Sequence, residues 1–532
     1  MTLAYDPVAL ADAFERALGD PRDPDRAFST SRVLELDRAE EFPEDIVAEL
    51  HARGLGAHYV PEEYGGRLRN YEELLQIVRR VAARDLTTAI GHAATYLGAV
   101  CTWVAGTPEQ AVLTGREVMA GTVHSFGLTE RNHGSDILAG ELTAAASPGR
   151  YRLDGEKWLI NNATRGCRLC VLARTEADGG SRGFSLFTVD KRDLPPDTYR
   201  TLPAVRTHGI RGTDISGIAF TGASVPAGAM IGAPGEGAEI VLKSLQLTRT
   251  LCAALSLGSA DHALRLAVEH SRPEEDPEAA AVLADAYADL LTIEAVSTVA
   301  ARSMHALTGE LSILSAVVKH FVPTTVDAMI ERLAGVLGAQ AYTADGAFQK
   351  VARDHRIVGI FDGNTVVNLL ALVNQFGMLV RGRRRGTLDA AGLAAATTLR
   401  SAPPAFDRDR LSLMSLGGCT LTQAPLDDAV PHVAELRRIS DTLHDEMARM
   451  RPSARDTRPE AFDLAQRYTL LFAAFACAQL WSHNRDRWPD TSRLGVILAR
   501  LLARLGHPVE TVGTDSLLPE LLRRYDGGEA TP

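Results

Sequence analysis

A cationic excess is missing from this sequence. Its 56 Lys plus Arg are outnumbered by 67 Asp plus Glu, for a net charge of −11. Phosphate binding draws its affinity from clustered cations, so neither a nucleic acid nor an anionic membrane is expected as the main partner. The stretch from Ala391 to Pro532 makes the point locally: 17 Arg face 18 Asp plus Glu, and there is no Lys at all. Long uninterrupted apolar runs of some twenty residues are missing too, and the first twenty residues lack the basic start and apolar centre of a signal peptide. The expectation is a cytoplasmic protein with no membrane partner. Cysteine is sparse: six, scattered, make no disulfide framework. Cys167 and Cys170 form a CxxC, but in a β-patterned run residues three apart point to opposite faces and cannot pinch a metal, so no metal site is expected.

What is present is apolar bulk in two periodicities. With 45% apolar residues, 532 residues suffice for two to four packed units. Up to about residue 122 the spacing is helical, as in YEELLQIVRRVA at 71–82, where Leu74, Leu75, Val78 and Val81 share a face. From 123 to 232 the period changes to two, in short runs punctuated by Gly, Pro and Asp–Gly, which predicts a small antiparallel β-sandwich or barrel. Helical spacing returns over 233–390 as a bundle, and 391–532 reads as a further helical extension behind a Pro/Gly/Ser-rich linker. The predicted class is α+β, mainly α: an N-terminal helical domain, a β middle domain, a helical bundle and an extension.

The chemistry-bearing motifs are FGLTERNHGSD at 126–136, DGEKWLINN at 154–162 and RDHRIVGIFDGNT at 353–365. In order and spacing they resemble the flavin-binding and base-bearing segments of acyl-CoA dehydrogenases, over roughly residues 40–375. The resemblance implies FAD, with Phe126, Leu128, Thr129, Gly134 and Ser135 from the first segment at the flavin. Leu159, Ile160 and Asn161 from the second would lie behind its ring. Arg272 and Asn364 stand where the family contacts the cofactor, and Arg249 and Gly363 where it contacts substrate. Arg131 replaces a usual Pro, Gly335 and Ala339 replace other probable FAD contacts, and Trp158 comes one residue before the family's Trp, where a regular strand would turn it to the opposite face.

The implied reaction removes a proton α to a thioester carbonyl and passes the β-hydrogen as hydride to the flavin. A weak carbon acid needs a placed carboxylate and donors for the developing oxyanion. Asp362 falls at the position of the family's glutamate base, with a reach shorter by one methylene, roughly 1.3–1.5 Å. Asp–Gly–Asn–Thr is equally good turn and cap chemistry, so Asp362 also reads as an N-cap of the next helix. Thr248, at the alternative base position, cannot serve near neutral pH. His133 in the flavin loop reads as solvated, and Arg211 with Asp214 as a structural salt bridge.

Implied partners are an acyl-CoA or acyl-carrier-protein thioester, an electron acceptor such as an electron-transfer flavoprotein, and a second copy of the chain in a homodimer or homotetramer. Two other readings remain open on the sequence: a flavin-dependent monooxygenase of the same fold, and a non-catalytic scaffold or regulatory homologue.

Overall fold

The structure is a computed structural model that describes residues 5–271, 273–450, 457–510 and 517–526. Six helices come first: α1 (Pro7–Leu18), α2 (Thr30–Ala39), α3 (Glu44–Ala52), α4 (Tyr71–Arg84), α5 (Leu86–Ala105) and α6 (Pro108–Met119). Eight strands follow: β1 (His124–Gly127), β2 (Thr143–Ser147), β3 (Arg150–Asn161), β4 (Arg168–Arg174), β5 (Phe184–Asp190), β6 (Tyr199–Leu202), β7 (Ile215–Pro226) and β8 (Met230–Ile231). The next helices are α7 (Gly237–His270), α8 (Pro277–Ala306), α9 (Leu311–Leu337), α10 (Ala347–His355) and α11 (Thr365–Arg385). Beyond them lie α12 (Ala390–Thr397), α13 (Thr420–Gln423), α14 (Val433–Arg449), α15 (Pro459–His483), α16 (Ser492–Arg504) and α17 (Leu517–Asp526).

The chain divides into two compact units that interleave along the sequence. One comprises residues 16–69 and 85–248; the other comprises 1–15, 70–84 and 249–532. The helices before the sheet are thus shared between the two, and the extension belongs to the same unit as the bundle.

In the first unit the strands run in the order β6-β7-β3-β2-β4-β5-β8, with β1 paired to β4. Most pairs are antiparallel, as the alternating pattern predicts, but β1 lies parallel to β4, with Phe126 opposite Cys170. Sequence alternation cannot reveal this, because β1 arrives from a helix rather than a hairpin. Leu153, Leu169, Val171, Phe187, Ile218 and Val225 form the sheet's apolar core. Helix α5 reaches β1 through Gly98, where a Cβ would come within 2.7 Å of the His124 carbonyl carbon. That close approach seats the strand that leads into residues 128–136.

The second unit is helical. Helix α8 starts at Pro277 behind Asp276, whose carboxylate accepts from the amides of Glu278 and Ala279. Helix α11 ends in three arginines and Gly386 at φ +61, with Gly386 N–H to Arg383 O and Thr387 N–H to Gly382 O, a left-handed C-terminal stop. The extension packs on the bundle: α15 against α8, α9 and α11, and α16 and α17 against α8. A buried charge cluster fastens α17. Arg79 of α4 grips Asp261 of α7 through Nε and Nη2 at 2.6 and 2.9 Å and also meets Glu294 of α8. Arg524 of α17 reaches the same two carboxylates at 3.3 and 2.9 Å. Burial raises the Glu294 carboxyl, but the two guanidiniums outweigh it and hold the group at about 2.

Among the described residues three helical segments, Gly237–His270, Thr308–Tyr342 and Thr365–Arg385, are long and apolar enough to cross a membrane by length and composition. The expectation of no such segment counted only uninterrupted runs. Packing accounts for much of their apolarity: 78%, 83% and 50% of the respective windows are buried inside the fold.

Candidate active site

In the helical unit, α10 ends at His355 and the chain runs through successive turns to Asn364 before α11 begins. Asp362 sits in this run at φ +54 and Gly363 at φ +95. A left-handed aspartate costs about 1 kcal/mol and persists only where its surroundings impose it. Here they do. Arg249 of α7 donates from Nε to the Asp362 carbonyl at 2.7 Å. Lys319 of α9 donates from Nζ to the carbonyls of Val358 at 2.6 Å and Gly363 at 3.3 Å. Both cations are withdrawn from water, Arg249 at 9% and Lys319 at 1% exposure. Burial pushes both below their ordinary ranges, and the Asp362 charge opposes the shift.

Among the described residues the Asp362 carboxylate has one side-chain hydrogen-bond partner. The Cys252 thiol, on α7, lies 3.8 Å from Oδ2 as donor. Burial, reinforced by the Asp362 charge, pushes that thiol well up, so it stays protonated. The carboxylate is half-buried rather than sealed.

Asp362 does not cap α11. The cap is Asn364, whose Oδ1 accepts from the Val367 amide at 2.9 Å. The turn places Asp362 two residues too early to reach those amides, so the N-cap alternative for it falls. Asn364, expected at the cofactor, has its Oδ1 spent on this cap. Thr248 is buried, with its hydroxyl directed at Leu245 O.

The sheet unit carries the other motif. Glu130 is the hub of its loop: its carboxylate takes Lys157 Nζ at 2.7 Å and the amides of Glu141 and Leu142 at 2.6 and 3.1 Å. Burial raises Glu130, but the Lys157 ammonium and these amides outweigh it and leave the group below the ordinary carboxylate range. Lys157 also donates to Leu128 O at 3.1 Å, and the Thr129 hydroxyl donates to Trp158 O at 2.7 Å. These bonds join the two segments 126–136 and 154–162 into one structure. Beyond them Gly134 and Ser135 are exposed, and a Cβ on Gly134 would meet nothing within 4 Å.

Strand β3 is not regular where it passes this loop. Its register against β7 shifts between Trp158 and Ile160, and Leu159 stands out as the bulged residue at φ +57, 45% exposed. The expectation that Trp158 faces the wrong side assumed unbroken alternation, which the bulge removes. Trp158 is half-buried, with Arg131 stacked 5.0 Å from its ring centre. Asn161 was expected to donate its amide to the flavin. Its Nδ2 instead donates to Ile90 O at 3.3 Å, leaving Oδ1 buried without a partner. Asp214, expected in a salt bridge with Arg211, accepts from the amides of Thr164 and Arg165.

Three family models match in succession: the N-terminal domain of acyl-CoA dehydrogenase over residues 26–117, the middle domain over 125–223 and the C-terminal domain over 235–376. The chain belongs to the acyl-CoA dehydrogenase family. Among curated proteins it is 27% identical over 349 residues to the probable acyl-CoA dehydrogenase FadE25 of Mycobacterium tuberculosis, covering 64% of this chain and 89% of that one. It is 28% identical over 365 residues to the cyclohex-1-ene-1-carbonyl-CoA dehydrogenase of Geobacter metallireducens, covering 66% and 92%. Among solved structures it shares the fold of a Bacillus anthracis acyl-CoA dehydrogenase complexed with FAD, at TM-score 0.65 and 19% identity, over 100% of this chain and 96% of that one. The extension is therefore part of a fold seen elsewhere, although the two curated relatives named above match only about two thirds of this chain.

Family membership makes this chain a flavoprotein oxidoreductase, and the residues present fit a flavin. Leu128 and Thr129 are half-exposed, Gly134, Ser135 and Leu159 exposed, and Asn161 Oδ1 is a buried acceptor awaiting a donor. Phe126 and Ile160 are buried, so their contribution to a cofactor would be through the backbone. Arg272 lies outside the described residues. Gly363 and Arg249 are brought together with Asp362; Gly363 also takes Asn368 Nδ2 on its carbonyl at 2.8 Å.

Sequence reasoning passed over Lys319, Cys252 and the hub formed by Glu130 and Lys157. One signal was available. Lysine occurs five times in the chain against 51 arginines, and three of the five, Lys157, Lys319 and Lys350, are buried. In an arginine-rich chain the rare lysines mark places where a compact ammonium is needed.

Proposed function

We propose that the protein carries out FAD-dependent α,β-dehydrogenation of an acyl thioester, with Asp362 removing the α-proton. The observation that carries this reading is the Asp362 turn, a left-handed carboxylate held by a buried arginine and a buried lysine that both bind main-chain carbonyls, leaving its own oxygens to a weak thiol donor. A proton acceptor needs carboxylate oxygens within reach of the carbon acid rather than engaged in ion pairs. The flavin, when bound, accepts the β-hydride. What the chain itself supplies is the proton acceptor at Asp362 Oδ, the fixed backbone at Gly363 and Asn364, and the loop 128–136 with Leu159 and Asn161 to hold and orient the cofactor.

The same reading takes in the finer expectations: a CoA or carrier-protein thioester as substrate, an electron-transfer flavoprotein as acceptor, self-assembly into a homodimer or homotetramer, and a cytoplasmic setting without a membrane or nucleic-acid partner. Anaerobic bleaching of the flavin by a panel of acyl-CoAs, with recovery of the enoyl product, tests the reaction. Asp362→Asn should lower the bleaching rate by about three orders of magnitude or more at unchanged FAD content. An unchanged rate in that variant removes Asp362 as base. Product formed only with oxygen consumption points to the monooxygenase, and a colourless protein that takes up no added FAD points to the scaffold.

A further inference from the structure

His355 is the last residue of α10 and is wholly buried. Both its ring nitrogens are engaged. Nδ1 lies 2.8 Å from Asp327 Oδ1 on α9, and Nε2 lies 2.9 Å from Ser256 Oγ on α7. A carboxylate can only accept, so Nδ1 carries a proton toward Asp327, while Nε2 shares a hydrogen bond with the serine hydroxyl. The order Ser–His–Asp is that of a hydrolase triad, but Ser256 and His355 are both fully buried and no substrate reaches the hydroxyl. The arrangement has a different geometric sense. Ser256 follows Arg249 and Cys252 at seven and four residues on one face of α7, and Asp327 follows Lys319 by eight residues on α9. The same two helices therefore grip the 355–363 segment at its start through His355, at Val358 and Gly363 through Lys319, and at Asp362 through Arg249.

We infer that His355 is a positioning residue for Asp362: by bridging Ser256 and Asp327 it fixes the start of the turn at whose end the carboxylate is held. The inference rests on the reading of Asp362 as base. An aspartate has one methylene fewer than a glutamate with which to correct a backbone error, so where the backbone sits decides where the carboxylate sits. A displacement near 1 Å costs about a hundredfold in rate. Pro323 lies in α9 between Lys319 and Asp327 and removes the helix hydrogen bond to Lys319 O. One helix hydrogen bond between the two α9 contacts is thus missing, and His355 gives the start of the segment a side-chain anchor of its own.

The test uses the full chain reconstituted with FAD and its variants Ser256→Ala, Asp327→Asn, His355→Gln and His355→Ala. Hydrogen exchange by mass spectrometry reads residues 356–364, and anaerobic stopped-flow with butyryl-, isobutyryl- and octanoyl-CoA reads flavin bleaching. His355→Ala should speed exchange in that segment about tenfold or more, and lower the limiting bleaching rate about a hundredfold. The half-saturating substrate concentration and the midpoint of the pH–rate profile should stay where they are. His355→Gln, which can still reach one partner, should recover much of the rate. If His355→Ala does not fold, Ser256→Ala and Asp327→Asn carry the test, each removing or weakening one contact. Exchange that is unchanged in both, or faster exchange with an unaltered rate, overturns the inference, as does a shifted pH midpoint. Should none of the three thioesters bleach the wild-type flavin, they are not substrates, and exchange alone decides whether His355 holds the segment.

Discussion

Between residues 356 and 364 the chain is tied down from outside: Lys319 holds two of its carbonyls, Arg249 a third, and Asn364 caps the following helix. Between residues 131 and 136 it is tied mainly at its root, through Glu130, and its tip at Gly134 and Ser135 stands open. The difference follows from what each has to hold. On the proposed reading the first segment carries a base, which acts on a carbon acid only from a fixed place, and two desolvated cations and a left-handed aspartate go into fixing it. On the same reading the second segment receives a cofactor and gains its order from the ligand, and Asn161 on the neighbouring strand β3 keeps its buried Oδ1 without a hydrogen bond among the described residues.

The contrast breaks first at Lys319. Lys319→Met removes a buried charge along with its hold on Val358 and Gly363. Loss of the cation's desolvation offsets much of the lost bonding, so folding stability should change by no more than about 2 kcal/mol. The rate of flavin bleaching should fall about a hundredfold. Chemical denaturation beside stopped-flow kinetics checks both; a large stability loss with a normal rate would make Lys319 a core residue only.

A second, smaller effect belongs to the flavin loop. Glu130→Gln leaves Lys157 buried without its counter-charge, and FAD affinity should drop about tenfold while the rate of the fully loaded enzyme stays within about threefold. The pH sign follows from the depressed Glu130 carboxyl. Its contribution is present above the ordinary carboxylate range near 4.3 and is lost as pH falls through the lower folded value. Melting curves of the wild type should therefore steepen their decline below about pH 4.3 more than those of the Gln variant. FAD titration and melting at stepped pH read the two parts.

The smallest effect sharpens the idea that the tip is open. Since a Cβ at Gly134 meets nothing and the residue has no left-handed φ, Gly134→Ala should shift apo stability by less than about 0.5 kcal/mol. Any loss should show in FAD affinity alone. A destabilised apoprotein would mean that the tip is packed after all.

The sequence was most legible where pattern and chemistry coincide. The change from helical to alternating spacing and back marks the sheet, and the motifs at 126–136 and 353–365 lead to the two segments that carry the proposed site. It was least legible where a contact depends on residues far apart. Nothing local in SAVVKHF marks Lys319 as the support of a turn some forty residues later, and nothing in TRTLCAALS places Cys252 at a carboxylate. The bulge at Leu159 hides in an ordinary alternating run, since one extra residue changes faces without changing composition. Asp362 and Asn364 compete for the same cap in sequence, and only the backbone angles separate them.

The charge cluster on Arg79 bears on how the molecule comes together. Its bonds close loops of 182, 215, 230 and 263 residues, and α4, which carries Arg79, is flanked on both sides by segments of the other unit. Neither unit is a continuous piece of chain, so neither can be cut out and expressed by trimming the ends. The short segment 70–84 must find its place in a helical unit whose remaining parts are encoded mostly after residue 248. Contacts of such sequence separation form late and slowly, so the sheet unit, with its neighbouring strands, is the one expected to gather first and the α4 guanidinium among the last groups to lose water.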